Sequence, residues 1–219
     1  MNNSKELFTI GHSNHSSEAF IGLLQQHGIT ALADVRSHPY SRYLPHFTQS
    51  SLKAALLNAG IRYVFLGKEL GARPNNPDCY VDGKALYERI AATELFSQGI
   101  QRLLKGAETY KIALMCAEKD PITCHRAILV CQNLREFTLE INHILNDGNL
   151  ESHNQLEERM LNLHGLSDTQ QNKPKQLSLF DAVESTDTSI RPKEERLKEA
   201  YHLQGDKIAY QEKTNETDS

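Results

Sequence analysis

Short apolar segments alternate with amphipathic segments along most of this chain, and this alternation is the strongest constraint on its fold. Apolar runs of strand length occupy residues 7–10, 31–36, 61–66, 111–116 and 139–145. Apolar residues at helical spacing predict helices at residues 16–27, 49–58, 84–92, 93–105, 124–137 and 152–163. Strands that are apolar on both faces and joined by helices are typical of a parallel sheet covered by helices.

The predicted fold is therefore a three-layer α/β domain with a mostly parallel five-stranded sheet, of the Rossmann-like or flavodoxin-like type. We assign this domain to residues 1–165. Residues 166–190 are rich in Ser, Thr, Asp, Asn and Gln, a composition that predicts a disordered linker within a flexible tail. Residues 191–219 form a C-terminal extension that we expect to be partly helical, with a helix and a short strand within residues 193–208.

Charge and cysteine content narrow the classes of function. The net charge of −4 excludes a global basic field that would hold nucleic acid. The four cysteines include no Cys-x-x-Cys pair, so they indicate reduced thiols and no disulfide framework. The polar N-terminus and the lack of a long apolar run predict a cytoplasmic protein with no membrane contact. No phosphate-loop or dinucleotide motif is present, so use of ATP or NAD is not expected.

Polar and reactive side chains follow the predicted strands at the points where the strands end. The carboxyl ends of parallel strands lie on one edge of the sheet, so these side chains should converge there. The candidate catalytic residues are His12, Asp34, Arg36, Cys116, Glu118, Cys124, His125 and Arg126. The candidate substrate-binding residues are Ser13, Tyr40, Ser41 and Glu69.

These residue types suggest thiol and acid–base chemistry. Cys124, at the start of a predicted helix and beside His125 and Arg126, is expected to favour its thiolate form. Glu118 would act as an acid or base if burial raised its pKa. A purely structural interpretation remains open, because cysteines at the ends of buried strands, such as Cys116, are often small core residues.

The other candidates suggest binding of a phosphate or a nucleotide. Arg36 would grip a phosphate, with Asp34 orienting it, although the two residues would equally form a structural ion pair. Tyr40 and Ser41 lie in a loop rich in Pro, Tyr and Ser, which suits stacking on a base or a single strand.

Metal binding is the less favoured alternative. Cys116, Glu118, Cys124, His125 and His12 supply ligand types that suit zinc or iron. Their spacing matches no recognised metal signature, however, and adjacent Cys124 and His125 on a helix should point apart. We therefore predict neither a cofactor nor a metal site.

Five short motifs occur in a fixed order over residues 7 to about 145, and together they resemble the family called domain of unknown function 488. One departure is Ala72, where the family's Leu-Gly-Gly stretch has a second glycine. The resemblance implies an α/β fold with a polar edge, and the activity of the family is not established. The motifs are Thr9-Ile10-Gly11-His12-Ser13, Asp34-Val35-Arg36 with Pro39 and Ser41, Leu66-Gly67-Lys68-Glu69-Leu70-Gly71, Cys116-Ala117-Glu118 and Cys124-His125-Arg126.

A second resemblance lies in the predicted linker, where three apolar residues cluster in a polar segment. Such a segment gains nothing by exposing apolar side chains unless a groove on a partner receives them. All five positions resemble the pentapeptide that binds the bacterial DNA sliding clamp, Gln-Leu-Ser/Asp-Leu-Phe. The resemblance implies that the partner is the sliding clamp, the β subunit of the DNA polymerase, which would tether the domain close to DNA. The residues are Gln176, Leu177, Ser178, Leu179 and Phe180.

Three hypotheses of function follow from these observations. The first is an enzyme of DNA repair or of nucleic-acid or nucleotide metabolism, a hydrolase or transferase that the clamp recruits to DNA. The second is a clamp adaptor without catalysis, or a module that recognises a DNA lesion. The third is a thiol redox or metal-binding protein.

Overall fold

The computed structural model describes residues 5–168 and 191–212. Its central sheet has six strands in the order β3-β2-β6-β1-β7-β8, and a separate hairpin pairs β4 with β5. The strands are β1 (Lys5–Gly11), β2 (Ala31–Asp34), β3 (Arg62–Phe65), β4 (Tyr80–Val81), β5 (Lys84–Ala85), β6 (Ile112–Cys116), β7 (Leu139–Ile144) and β8 (Leu150–Ser152).

Five strands of the central sheet run parallel, and β8 pairs antiparallel with β7 at one edge. The mostly parallel α/β prediction is confirmed, with β8 as an additional strand. In the Rossmann and flavodoxin orders the first and second strands are neighbours. Here β6 lies between β1 and β2, so the ends of β1, β2 and β6 meet at the centre of the sheet.

Eight α-helices are described, and most agree with the predicted segments. They are α1 (Ser17–Gln26), α2 (Gln49–Asn58), α3 (Gly67–Leu70), α4 (Tyr87–Ala91), α5 (Glu94–Gly106), α6 (Gln132–Leu134), α7 (His153–Leu163) and α8 (Lys193–Ile208). The helix predicted for residues 84–92 begins only at Tyr87, because β5 occupies the preceding residues. The helix expected within residues 193–208 is present and occupies that whole segment as α8.

The two faces of the sheet carry separate apolar cores. On one face, Phe20 of α1 and Leu52 of α2 pack with side chains of the central strands. On the other face, Ile100 and Leu103 of α5 pack in a second core. This arrangement gives the three layers that the sequence predicted.

Helices α7 and α8 pack together and form a third apolar cluster. Leu156 and Met160 of α7 lie in this cluster with Leu197 and Tyr201 of α8. The N-terminus of α7 has a capping box, in which Ser152 and Gln155 bond to each other's backbone N–H groups. Because α8 follows the 169–190 segment, this packing returns the chain to the domain and places residues 208–210 near the polar edge of the sheet.

The predicted helix over residues 124–137 is the largest error in the local prediction. A 3-10 turn at Pro121–Thr123 precedes this segment. Within the segment, Cys124 is extended and Arg126–Cys131 form a π-helix before α6. Every residue of the π-helix is buried, so apolar residues occur on all of its sides. The sequence pattern therefore could not distinguish a π-helix from an α-helix.

No helix in the described ranges has both the length and the apolar character that crossing a membrane requires. The clamp-like peptide Gln176–Phe180 and most of the predicted linker lie outside the described residues.

Candidate functional site

The loop that follows β6 crosses directly over the end of β1. A Cβ atom on Gly11 would lie 1.9 Å from the carbonyl oxygen of Glu118, so only glycine permits this crossing. The backbone N–H of His12 donates to the carbonyl of Cys116 at 2.9 Å, and that of Ser13 donates to the carbonyl of Ala117 at 2.9 Å. The ends of β1 and β6 are therefore held together at one edge of the sheet.

The 3-10 turn after this loop directs two reactive side chains to the same place. Asp120 caps the turn by accepting from the backbone N–H of Ile122 at 3.1 Å. The next residue after the turn, Cys124, is extended, with φ −132° and ψ 138°, and His125 begins the helical backbone. The expectation that Cys124 and His125 point apart is wrong, because these two residues do not share a regular helix.

Cys116, Cys124 and His125 form a compact buried group, which we call the thiol–imidazole group. Their ligand atoms, the two Sγ atoms and one imidazole nitrogen, all lie within 4.8 Å of one another. His125 Nδ1 lies 3.6 Å from Cys116 Sγ and 4.0 Å from Cys124 Sγ. The exposed fractions are 4% for Cys116, 1% for Cys124 and 8% for His125.

The other nitrogen of His125 fixes the protonation pattern of this ring. Nε2 lies 3.0 Å from the carbonyl oxygen of Val35, which only accepts hydrogen bonds. We assign the proton to Nε2 on this basis. In the neutral ring, Nδ1 therefore presents a lone pair towards the sulfur atoms of Cys116 and Cys124.

Glu118 extends the group on its open side. The thiol of Cys124 donates to Glu118 Oε2 at 3.0 Å. Burial and the neighbouring Cys124 charge raise the pKa of Glu118, which is the condition under which an acid or base role was predicted. The carboxyl group of Glu118 is therefore placed to accept a proton from Cys124.

The two thiols differ in their preferred charge. Burial raises the pKa of Cys116 well above its usual value, and its interaction with Cys124 adds to the rise. Burial also acts to raise the pKa of Cys124, but the hydrogen bond with Cys116 and the charges of Arg126 and His125 bring it well below the usual value. Of the two, Cys124 is the one that favours the thiolate.

Arg126 supports this arrangement from below and is itself 0% exposed. Its guanidinium donates to the carbonyl of Glu118 at 2.8 Å and to that of Lys119 at 3.4 Å, and its Nε donates to the hydroxyl of Thr9 at 3.3 Å. Its backbone N–H donates to Cys124 Sγ at 3.5 Å. Arg126 therefore fixes the loop over β1 and does not reach the solvent.

The end of β2 contributes a buried ion pair. Arg36 Nε lies 2.9 Å from Asp34 Oδ1, and Arg36 Nη2 lies 2.7 Å from Asp34 Oδ2. The hydroxyl of Tyr63 donates to the same carboxylate at 2.8 Å. Asp34 is fully buried, so its contacts orient the guanidinium of Arg36 towards the pocket described below.

His12 connects this ion pair to the end of β1. Arg36 Nη1 donates to His12 Nε2 at 3.3 Å, and His12 Nδ1 donates to the carbonyl of Ser13 at 3.0 Å. Burial and the charge of Arg36 lower the pKa of His12 to about 4, so the ring is neutral at pH 7. The ring stacks on Phe47 at a centroid distance of 4.3 Å.

A pocket of about 340 Å³ opens over these strand ends. It brings together predicted residues from four segments: His12, Arg36, Tyr40, Ser41, Cys116, Glu118 and His125. It also contains residues that sequence reasoning did not select: Ser37, His38, Ala72, Arg73, Tyr87, Ala117, Thr123, Ile208 and Tyr210.

A comparison of the sequence with protein-family models identifies the family of this chain. Residues 16–132 match the family described as Domain of unknown function DUF488. The chain belongs to this family. The comparisons with curated proteins and with solved structures gave no match. The DUF488 match includes the whole thiol–imidazole group, whereas Ile208 and Tyr210 of the pocket wall lie outside it.

Five predicted residues do not line the pocket of this DUF488 protein. One of them, Cys124, is 1% exposed and lies within the thiol–imidazole group. Asp34 and Arg126 are buried beneath it and position other groups. Glu69 lies on α3 and forms an ion pair with Arg102 of α5. Ser13 has a positive φ of 45°, and its hydroxyl donates to Asn14 at 3.3 Å.

Proposed function

We propose that this protein is a cytoplasmic enzyme that acts on nucleic acid or nucleotides, with the pocket over Cys116 and His125 as its active site. The sliding clamp would bring it to DNA through the peptide Gln176–Phe180. One observation carries the proposal: reactive thiol, imidazole and carboxyl groups form the floor of a pocket whose walls carry arginines and tyrosines. Such walls suit a ligand that combines phosphate with an aromatic base.

The charge of the pocket favours an anionic ligand. Arg36 and Arg73 line it, and Glu118 is the only carboxylate among the described lining residues. Arg73 makes no ion pair with any residue in the described ranges, so its charge is available to a ligand. A phosphate group would gain charge-assisted hydrogen bonds from Arg73 without displacing an internal partner.

Aromatic side chains border the same opening. The guanidinium of Arg73 lies 4.2 Å from the ring centroid of Tyr210, and Tyr40, which also lines the pocket, is 72% exposed. A flat base entering the pocket would find rings and a guanidinium plane on which to stack. The proposed substrate class therefore follows from two independent features of the pocket, its charge and its aromatic rim.

The domain holds the two ends of the 169–190 segment close together. Arg196 is 4% exposed, and its guanidinium donates to the carbonyls of Leu166 and Arg191 at 2.7 and 3.0 Å. It also forms an ion pair with Asp168. The eight-residue step from Asp168 to Gln176 spans at most roughly 27 Å, which is enough for the peptide to reach a groove on a partner.

The clamp contact is tested by titrating the full-length protein against the purified sliding clamp. We expect a dissociation constant of tens of micromolar, the range of roughly −6 kcal/mol for a short peptide. Leu179→Ala combined with Phe180→Ala should abolish this binding, because the apolar anchors are lost. Val183→Ala with Ile190→Ala is the matched control and should leave the affinity unchanged. Equal affinities for both double variants would remove the clamp from the proposal.

The pocket is tested separately with a nucleoside monophosphate and a short single-stranded oligonucleotide. Arg73→Ala should weaken binding of either ligand by about tenfold or more, because a charge-assisted contact is lost. Arg62→Ala, at the opposite edge of the sheet, is the control. In cells, Cys116→Ser should remove the proposed enzymatic activity on nucleic acid or nucleotides, while the protein still binds the clamp. An unaffected Cys116→Ser strain would favour the adaptor hypothesis instead.

A further inference from the structure

The geometry points to a zinc site formed by Cys116, Cys124 and His125, with a fourth coordination position that opens into the pocket. This inference extends the proposed function by supplying the pocket with a reactive centre, and its chemical role rests on that proposal. The binding of zinc does not rest on the proposed function, so an experiment can contradict the metal site and the proposed function separately. Three observations support the site.

The first observation is the spacing of the ligand atoms. Zinc binds thiolate sulfur at about 2.3 Å and imidazole nitrogen at about 2.0–2.1 Å, so neighbouring ligands of a tetrahedral site lie roughly 3.6 Å apart. His125 Nδ1 lies 3.6 Å from Cys116 Sγ and 4.0 Å from Cys124 Sγ. The two Sγ atoms lie within 4.8 Å of each other, and a tetrahedral zinc site would place them roughly 3.8 Å apart. A zinc ion would therefore fit between the three atoms after shifts of at most about 1 Å.

The second observation is the orientation of the imidazole. A histidine that binds zinc usually donates its other N–H to a carbonyl or a carboxylate, which fixes the ring and directs the lone pair. His125 makes this contact through Nε2 to the carbonyl of Val35 at 3.0 Å. The ring is therefore already held in the orientation that a metal ligand needs.

The third observation is the environment of the sulfur atoms. The backbone N–H of Arg126 points at Cys124 Sγ from 3.5 Å, a contact that stabilises a metal-bound thiolate. Two thiolates and one imidazole form a soft donor set that suits zinc better than magnesium or calcium. Two thiolates also neutralise the double positive charge of the ion, which lowers the cost of burying it.

The fourth position determines what such a site can do. Cys116, His125 and Glu118 line the pocket, so the open side of the group faces the space where a ligand would lie. Three protein ligands with an open position are the arrangement of catalytic zinc sites, in which a bound water becomes acidic. In a hydrolysis, this water would give a proton to Glu118 and attack the substrate, and Glu118 would return the proton to the leaving group.

The donor set also agrees with the proposed substrate class. Enzymes that hydrolyse the amino group of a nucleobase use zinc held by histidine and cysteine, with a nearby glutamate that is not a ligand. Glu118 occupies a comparable place, two residues after Cys116 and within 3.0 Å of Cys124 through Oε2.

Metal content provides the test. The full-length protein, expressed with added Zn²⁺ and purified under reducing conditions, should contain one zinc per chain. Replacing the zinc with Co²⁺ should give the visible bands of a tetrahedral ion and a sulfur-to-metal charge-transfer band of two thiolates. Cys116→Ser and Cys124→Ser should each weaken zinc binding by more than about 100-fold, above the range for loss of an outer-shell partner.

Cys79→Ser is the matched control, because Cys79 is also a buried free thiol but lies outside the group. It should keep one zinc per chain. A protein that takes up no zinc and shows no charge-transfer band with Co²⁺ would overturn the inference, even where the serine variants fail to fold. Zinc binding without any nucleotide or oligonucleotide binding would instead contradict the proposed function and leave the metal site standing.

Discussion

Two buried polar clusters meet at Arg126, and they differ in what their atoms contact. One is the thiol–imidazole group beneath the pocket. The other, which we call the histidine network, lies deeper, between the sheet and helices α7 and α8. Both are nearly inaccessible to solvent, so burial alone does not distinguish them.

The histidine network is a continuous chain of hydrogen bonds that runs in one direction. Arg126 donates to Thr9, Thr9 to His143, His143 to His153, His153 to Tyr201, and Tyr201 to a carboxylate. The successive distances are 3.3, 2.8, 3.0, 2.8 and 2.8 Å. The last acceptor is Glu157, which also pairs with Arg135.

Every donor in the histidine network has an acceptor, provided that both imidazoles are neutral. Such a network joins β1, β7, α7 and α8 and has no use for a ligand. In the thiol–imidazole group, by contrast, the contacts that join His125 Nδ1, the two thiols and Glu118 are long or shared, and two members of the group line a pocket. The comparison indicates that a buried polar cluster points to function when some of its polar atoms lack a strong hydrogen-bond partner and a cavity lies beside it.

The largest expected effect comes from breaking the contact between the two clusters. Arg126→Met should destabilise the fold by about 3–5 kcal/mol, because two loop carbonyls and the Thr9 hydroxyl lose a buried donor. Urea unfolding measures this loss. Arg159→Met is the control: Arg159 is 40% exposed in its ion pairs, so its loss should cost about 1 kcal/mol or less. Similar losses for both variants would mean that Arg126 does not hold the loop as described.

The spacing of apolar residues predicted the helices and strands whose formation depends on neighbouring residues in the sequence. The predicted bounds of α2 agree with Gln49–Asn58, and the five parallel strands lie where apolar runs predicted them. An available signal was missed at residues 146–149, where Asn-Asp-Gly-Asn is typical of a tight turn and should have predicted β8 after it.

The rest of the site depends on contacts between distant segments. Arg73 lies in an irregular loop, Tyr87 begins α4, and Tyr210 follows α8, yet all three line the same pocket. No local periodicity marks these residues, because tertiary packing alone brings them together. The polar strand ends were identifiable because a parallel sheet fixes where its carboxyl ends lie, and no comparable rule applies to the walls of the pocket.

A smaller effect should appear on acidification, because the histidine network tolerates only neutral rings. Burial and the charge of Arg135 lower the pKa of His153 to about 4. Between about pH 6.5 and pH 4 the unfolded chain binds a proton that the folded chain does not, so stability falls as the pH falls. For His153 alone, we expect a loss of about 2 kcal/mol between pH 7 and pH 5.

His153→Gln provides the check on this pH dependence. Urea unfolding of the variant should be less sensitive to pH than that of the unmodified protein by about the same 2 kcal/mol over this range. Part of the pH dependence of stability that remains in this variant should come from His12, because burial and the charge of Arg36 also lower its pKa to about 4. An unchanged pH profile for His153→Gln would show that the ring accepts a proton within the folded protein.

The smallest expected loss of stability comes from Tyr201→Phe, which tests whether the histidine network is independent of the thiol–imidazole group. Tyr201→Phe removes one hydroxyl from the histidine network and leaves the N–H of His153 without its acceptor. We expect a loss of about 1.5 kcal/mol in urea unfolding, the cost of one unsatisfied buried group. Zinc content and nucleotide binding should be unchanged, because Tyr201 is neither a member of the thiol–imidazole group nor one of the residues that line the pocket over it. A Tyr201→Phe protein that unfolds normally but loses zinc would show that the two clusters act as one unit through Arg126.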